Sequence, residues 1–145
     1  MTLPNVGGWL VDFRTADAIF ASGSNVRIDH CVGLCSGGRL LFCHHDEKQF
    51  KATPALKQVF IDDQDCLVFP DSAVAQHCVD VQNNPICKKL FKGNKSAVVL
   101  TALASCKNMG VLSDHRSPVY STVYDLCKHF HIPTFSTDEY FSLLP

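Results

Sequence analysis

The strongest constraint on the fold is the alternation of helical and short apolar runs in residues 93–145. The pattern predicts helices over 94–109 and 119–131, and between them a short apolar strand that runs into Asp114. A last strand and a short helix are predicted over 134–144. This order is typical of α/β folds with a mostly parallel central sheet, in which the carboxyl ends of the strands carry the functional site.

An apolar run near the start of the chain predicts a strand of the same kind. Residues 9–11 are apolar and run directly into Asp12, so that a carboxylate follows this strand as well. A helix is expected to begin just after it, with Thr15 or Asp17 as the capping residue. The first strand therefore ends in the same way as the strand before Asp114.

The segment 25–58 fits this alternation less well, and we treat it as a candidate insertion within one domain that spans 1–145. Short strands are predicted over 26–28 and 39–43, because both runs are apolar and glycines interrupt the sequence between them. Residues 44–51 are polar and are expected to lie exposed on the surface.

Composition limits the class of protein. Hydrophobic residues make up 46% of the 145 residues and charged residues 19%, which favours a folded domain over a disordered chain. The net charge of −1 gives no sign of a general nucleic-acid binder. No apolar run reaches the roughly 18 residues of a membrane span, and no export signal is visible, so we expect a cytoplasmic protein without a membrane partner.

Eight cysteines are scattered through apolar stretches, and in a reducing compartment most of them are expected to be small core residues. An alternative is a zinc site, because sulfur and imidazole ligands lie close together in the sequence at Cys31, Cys35, Cys43 and His44. Their spacing does not match the usual paired zinc knuckles, which favours the core interpretation.

Asp12 and Asp114 form the first candidate site. If their strands are neighbours, both carboxylates project from one edge of the sheet, and two like charges at close range favour a cation between them. Mg²⁺ or Mn²⁺ accepts such oxygen ligands and can orient a phosphodiester. The alternative is that each aspartate caps the helix that follows it.

The C-terminal third of the chain resembles that of PIN-domain proteins. In that family an apolar strand leads into an acidic turn, a helix, a strand with a Gly-Ile-Pro-Val-like sequence and a short closing helix. Upstream stretches are similar to the family's opening strand with its Asp, to its strand–Pro–x–x–Val element and to the start of its long Ala-rich helix. The segments that carry the resemblance are 9–12, 67–70 with Val74, 93–97, 110–116, 124–127, 131–137 and 140–144.

The resemblance implies a three-layer α/β/α fold and a Mg²⁺- or Mn²⁺-dependent ribonuclease, often a toxin paired with an antitoxin and often a homodimer. Asp12 matches the first metal carboxylate of the family, and Asp114 matches an acidic residue of the later turn. Both residues are therefore predicted to be catalytic metal ligands, with RNA as the substrate.

The chain departs from the family at its other acidic positions. Gln76 or His77 stands where the family has Glu, Asn94 stands where it has Glu or Asp, and His115 replaces the second carboxylate of the turn. Asn94, through its carbonyl, and Asp71, at a shifted position, are the remaining candidate metal ligands. The departures keep two further functions open: a catalytically inactive PIN-like module that binds a protein or nucleic acid, and a zinc-stabilised interaction module.

Overall fold

The computed structural model describes residues 2–62, 66–69, 71–90, 95–114 and 123–144. These residues form the strands β1 Trp9–Val11, β2 Leu40–Cys43, β3 Leu67–Val68, β4 Gly110–Leu112 and β5 Thr134–Phe135. They also form the helices α1 Phe13–Ala21, α2 Asn25–Ser36, α3 Glu47–Lys51, α4 Pro54–Lys57, α5 Ser72–Asn83, α6 Pro85–Leu90, α7 Lys95–Lys107, α8 Val123–His129 and α9 Thr137–Ser142. Within these ranges, no helix combines the length and the apolar character that crossing a membrane requires.

The five strands form one parallel sheet in the order β3-β2-β1-β4-β5. β1 lies at the centre, where Val11 pairs with Phe42 of β2 on one side and with Leu112 of β4 on the other. The predicted α/β fold with a parallel central sheet is thereby confirmed. Because the three central strands end side by side, the residues that follow them meet at the middle of one edge.

Side chains alternate between two cores, one on each face of the sheet. From β1, Leu10 points into a core that is shared with α5, α6, α7 and α8. Trp9 and Val11 point into the other core, which is shared with α1, α2, α3, α4 and α9. This alternation is what a strand buried on both faces produces, and it gives the three layers α/β/α.

The strand predicted over 26–28 is wrong, since these residues lie in the first turns of α2. The Ser24 hydroxyl accepts a hydrogen bond from the backbone N–H of Arg27 at 3.4 Å and so caps the helix. Cys31 and Cys35, one turn apart, are both buried. Capping and packing thus outweigh the strand preference of a three-residue apolar run.

The segment 44–51 is partly buried, so the prediction of a fully exposed stretch is also wrong. Residues His44–Asp46 form a single 3₁₀ turn, and α3 follows it directly. Asp46 and Phe50, four positions apart, are both buried. The segment 25–58 as a whole supplies β2 to the middle of the sheet, so it is part of the domain's framework.

We predict that Gly110→Ala destabilises the protein. A Cβ at this position would lie under 3.0 Å from three ring atoms of Trp9. That ring is only 4% exposed and packs edge-on against Phe135 and Tyr140, so it cannot move aside freely. We expect a loss of about 1–3 kcal/mol in the free energy of unfolding, measured by urea denaturation.

Gly33→Ala is the matched control. Gly33 lies within α2, and a Cβ there would meet no atom within 4 Å. Alanine in a helix is favoured over glycine by about 0.5–1 kcal/mol, so this variant should be slightly more stable than the wild type. Equal stability of the two alanine variants would contradict the packing described around Trp9.

Candidate functional site

Polar residues gather at the carboxyl edge of the sheet, where the three central strands end. Asp12 follows β1, Asp46 ends the turn after β2, and Ser113 and Asp114 follow β4. The neighbouring, parallel arrangement of these strands brings the four residues to the same edge. The sequence-based expectation that Asp12 and Asp114 follow neighbouring strands therefore agrees with the sheet.

Asp12 is both the end of β1 and the cap of α1. Its Oδ1 accepts a hydrogen bond from the backbone N–H of Thr15 at 2.9 Å, and its Oδ2 accepts one from the Ser113 hydroxyl at 2.8 Å. The side chain is only 8% exposed. Asp12 thus caps α1, which confirms the alternative interpretation of this residue, whereas the expectation of a cap at Thr15 or Asp17 is wrong; Ser113 fixes the orientation of the Asp12 carboxylate.

Asp46 is the second buried carboxylate of this edge, and sequence reasoning missed it. It is 7% exposed, and its Oδ2 accepts a hydrogen bond from the backbone N–H of Phe13 at 3.1 Å. Burial raises the pKa of Asp46, the Phe13 hydrogen bond lowers it, and the charge of Asp12 makes a smaller contribution that raises it, with a net pKa of about 6. Asp12 and Asp46 therefore form a pair of interacting carboxylates at the N-terminus of α1.

One signal in the sequence could have identified Asp46. Asp46 and Phe50 are four positions apart, the spacing that places two side chains on one face of a helix. A single aromatic residue in a polar run marks the side that faces the core, and Asp46 lies on that side. The polar composition of the run concealed this periodicity.

Asp114 contacts a different part of the edge. Its two carboxylate oxygens accept hydrogen bonds from the backbone N–H and the hydroxyl of Thr137, at 2.6 and 2.7 Å. Its own backbone N–H donates to the Thr15 hydroxyl at 2.8 Å. Asp114 therefore connects the end of β4 to α1 and to the first residue of α9.

Asp71 does not join the other aspartates. It caps α5 through the backbone N–H of Val74 at 3.0 Å and forms an ion pair with Lys107 at 2.7 Å. The hydrogen bond from Lys107 lowers the pKa of Asp71. Lys107 is the last residue of α7, so this ion pair holds Asp71 between the start of α5 and the end of α7.

The other positions at which PIN-domain proteins have acidic residues add no carboxylate to this edge among the described residues. Asn94 and His115 lie outside the described residues. Gln76 and His77 lie on α5, where Gln76 donates a hydrogen bond to Asp80 at 3.4 Å and the His77 ring contacts the carbonyl of Ala73 at 3.1 Å. Both contacts are made within the helix itself.

The structure does not bring the candidate zinc ligands together. Cys31 and Cys35 lie in the core on one face of the sheet, and Cys43 lies in the core on the other. His44 contacts the Cys43 sulfur at 3.8 Å. Burial raises the pKa of all three thiols, to about 11 for Cys31 and Cys43, which disfavours the thiolate that zinc requires.

The cysteines and the other residue types that commonly bind metals can be compared with the predictions from the sequence. Six of the eight cysteines are buried, as predicted for core residues. Over the described ranges, no group of three or more His, Cys, Asp or Glu side chains is arranged to hold a metal ion. The pair formed by Asp12 and Asp46 is therefore the feature of this edge with the clearest capacity for chemistry.

Comparisons with known proteins identify no relative of this chain. No protein-family model, curated protein or solved structure matches the chain. The resemblance to PIN-domain proteins thus remains a prediction from the sequence, and the function has to be argued from the geometry of the carboxyl edge.

We predict that ionisation of Asp46 lowers the stability of the wild type as pH rises, and that Asp46→Asn removes this contribution. Because the folded-state pKa of about 6 lies above the ordinary aspartate pKa of 3.8, the folded protein holds this proton more tightly than the unfolded chain. The resulting stabilisation is complete below about pH 4 and is lost as pH rises through 6. Asparagine never ionises, and its carbonyl oxygen can still accept from Phe13.

The measurement is urea unfolding of both proteins between pH 4 and pH 7. The stability of the variant relative to the wild type should rise across this interval, by on the order of 1–3 kcal/mol. Asp17→Asn serves as the control, since it removes the same charge from an exposed position of α1. A pH-independent difference between wild type and Asp46→Asn would contradict the raised pKa of the buried Asp46.

Proposed function

We propose that this protein hydrolyses RNA phosphodiesters at the carboxyl edge of its sheet, with Mg²⁺ or Mn²⁺ held by Asp12 and Asp46. The observation that carries the proposal is a pair of buried carboxylates at the N-terminus of α1, where Asp46 accepts from the Phe13 N–H and Asp12 accepts from the Thr15 N–H. Two like charges in a site of low polarity need either a shared proton or a cation. We propose that a divalent cation at this edge neutralises the two carboxylates.

The chemistry of the donors fits such an ion. Mg²⁺ is typically bound by one or two carboxylates and completes its coordination with waters and substrate phosphates, so a pair of aspartates is sufficient. Each carboxylate has about four lone-pair sites, and the hydrogen bonds that Asp12 and Asp46 accept occupy only some of them. When bound, an ion of this kind polarises a phosphodiester oxygen and lowers the pKa of a water ligand.

The chain's own groups prepare the site before any ligand arrives. The Ser113 hydroxyl and the Thr15 N–H fix the Asp12 carboxylate from two sides, and the Phe13 N–H fixes that of Asp46. The N-terminus of α1 also stabilises negative charge at both carboxylates. Since Asp46 exchanges its proton near pH 6, cation binding should weaken as pH falls through that range.

A catalytically inactive binding module is the second candidate, and one observation favours it. Both carboxylate oxygens of Asp12 and both of Asp114 accept hydrogen bonds from neighbouring groups of the chain itself. These contacts give each aspartate a structural role that needs no metal. A module of this type would keep the edge as a binding surface for a protein or a nucleic acid and would lack the hydrolytic step.

We predict that the Asp12→Asn/Asp46→Asn double variant loses divalent-cation binding and RNA cleavage together. Isothermal titration with Mn²⁺ should show saturable binding to the wild type and none to the variant, because asparagine supplies no charge to offset the cost of dehydrating the ion. Cleavage of a labelled single-stranded RNA in Mg²⁺ should fall by at least about 100-fold, since the ion contributes several kcal/mol to the transition state.

Asp71→Asn is the matched control, because it removes a carboxylate whose partners are Val74 and Lys107 and not the residues that contact Asp12 or Asp46. Asparagine is also a good helix cap, so the start of α5 should be kept. This variant should bind Mn²⁺ and cleave RNA as the wild type does. If the wild type binds no Mn²⁺, hydrolysis is excluded and the inactive module is favoured. If the double variant still cleaves RNA, the carboxylate pair is not the active site.

A further inference from the structure

A large aromatic side chain is exposed at the same edge of the sheet. Phe69 follows β3 and is 62% exposed, although most aromatic side chains of folded domains are largely buried. Its ring lies beside that of His44, with the centroids 5.3 Å apart and the planes tilted by 34°. The His45 ring lies 4.3 Å from the His44 ring. We refer to His44, His45 and Phe69 as the aromatic platform.

The register of the sheet positions the aromatic platform. Cys43 of β2 pairs with Val68 of β3, so His44 and Phe69 are the next residues along two hydrogen-bonded strands. Their rings are therefore placed by the framework of the fold and not by a long loop. A preformed pair of rings costs little conformational entropy when a third ring binds against it.

The aromatic platform adjoins the carboxylate pair. His44 begins the 3₁₀ turn that Asp46 ends, and Asp12 follows the next strand of the sheet. Because neighbouring strands lie about 4.8 Å apart, the ends of β3 and β1 are separated by roughly 10 Å. A base held at Phe69 and a phosphate held at the carboxylate pair would then belong to the same or to neighbouring nucleotides.

We propose that the aromatic platform binds a base of single-stranded RNA by stacking on Phe69, and thereby places the phosphodiester at Asp12 and Asp46. This inference rests on the proposed function, which it extends to the form of the substrate. Stacking on an exposed aromatic ring is the usual way in which proteins hold single-stranded nucleic acid without reading its sequence. Imidazole N–H groups next to the ring can donate hydrogen bonds to the base edge or to a phosphate.

The charge of the protein leaves stacking as the main source of affinity in this proposal. Proteins that bind nucleic acid through phosphate contacts rely on clustered Lys and Arg, whereas this chain has a net charge of −1 and presents Asp12, Asp46 and Asp114 at the edge in question. An RNA strand must therefore gain much of its binding energy from contacts to its bases. Paired bases in a duplex offer no free face, so the substrate is expected to be single-stranded.

The test is the affinity for a short fluorescein-labelled single-stranded RNA, measured by fluorescence anisotropy in EDTA so that no cleavage occurs. Phe69→Ala should weaken binding by about 5- to 150-fold, the range found when the stacking of one base is removed. Phe69→Trp should retain the affinity. Its added tryptophan fluorescence should be quenched by the RNA, while the natural Trp9, which is 4% exposed, is shielded from the strand.

Val79→Ala is the matched control, since it removes another exposed apolar side chain, 46% exposed, from the surface of α5. Its affinity for the RNA should equal that of the wild type. Because Phe69 is so exposed, its substitution should not affect folding, and circular dichroism checks this.

Three outcomes would overturn the inference: unchanged binding by Phe69→Ala, equally tight binding of a duplex RNA of the same sequence, or no binding of RNA by the wild type. The experiment also separates this inference from the proposed function, because it needs no divalent cation. Phe69-dependent binding without Mg²⁺-dependent cleavage would reject hydrolysis and keep the stacking site. Cleavage that requires Asp46 but not Phe69 would reject the stacking site and keep the proposed hydrolysis.

Discussion

The hydrogen bonds that converge on Asp12 hold together the edge of the sheet on which the rest of the structure depends. One oxygen of this carboxylate caps α1, and the other accepts from Ser113 at the end of β4. The Thr15 hydroxyl then accepts from the backbone of Asp114, whose carboxylate receives the first residue of α9. Hydrogen bonds to a charged group typically contribute about 1.5–3 kcal/mol, so this connected set fixes where β1 and β4 end and where α1 and α9 begin.

The sequence was most informative where one local rule was sufficient. An apolar run followed by an aspartate predicted both β1 and β4, and the helices around them were predicted with errors of a few residues. The α/β class followed from the order of these elements alone. The sequence also predicted that Asp12 and Asp114 follow strands that end at a common edge, but only the strand order shows that these strands are neighbours.

The sequence was least informative where the outcome depends on contacts between distant residues. Asp46 becomes a site residue only because the N-terminus of α1, thirty-three positions away, donates to it, and no local pattern records that contact. The same applies to Asp71, whose ion pair with Lys107, thirty-six positions away, is not recorded by any local pattern. Sequence spacing identified which residues could carry chemistry, and the packing of α1, α3 and α7 decided which of them meet.

The cysteines provide a natural means of following the two faces of the domain separately. Cys31, Cys35 and Cys66 lie in the core beneath α2, and Cys43, Cys87 and Cys127 lie in the opposite core. A thiol reagent reaches a buried cysteine only when the packing around it opens transiently, so its reaction rate measures the free energy of that opening. Mass spectrometry of partly modified protein would therefore show whether one layer of helices loosens before the other, without any label being introduced.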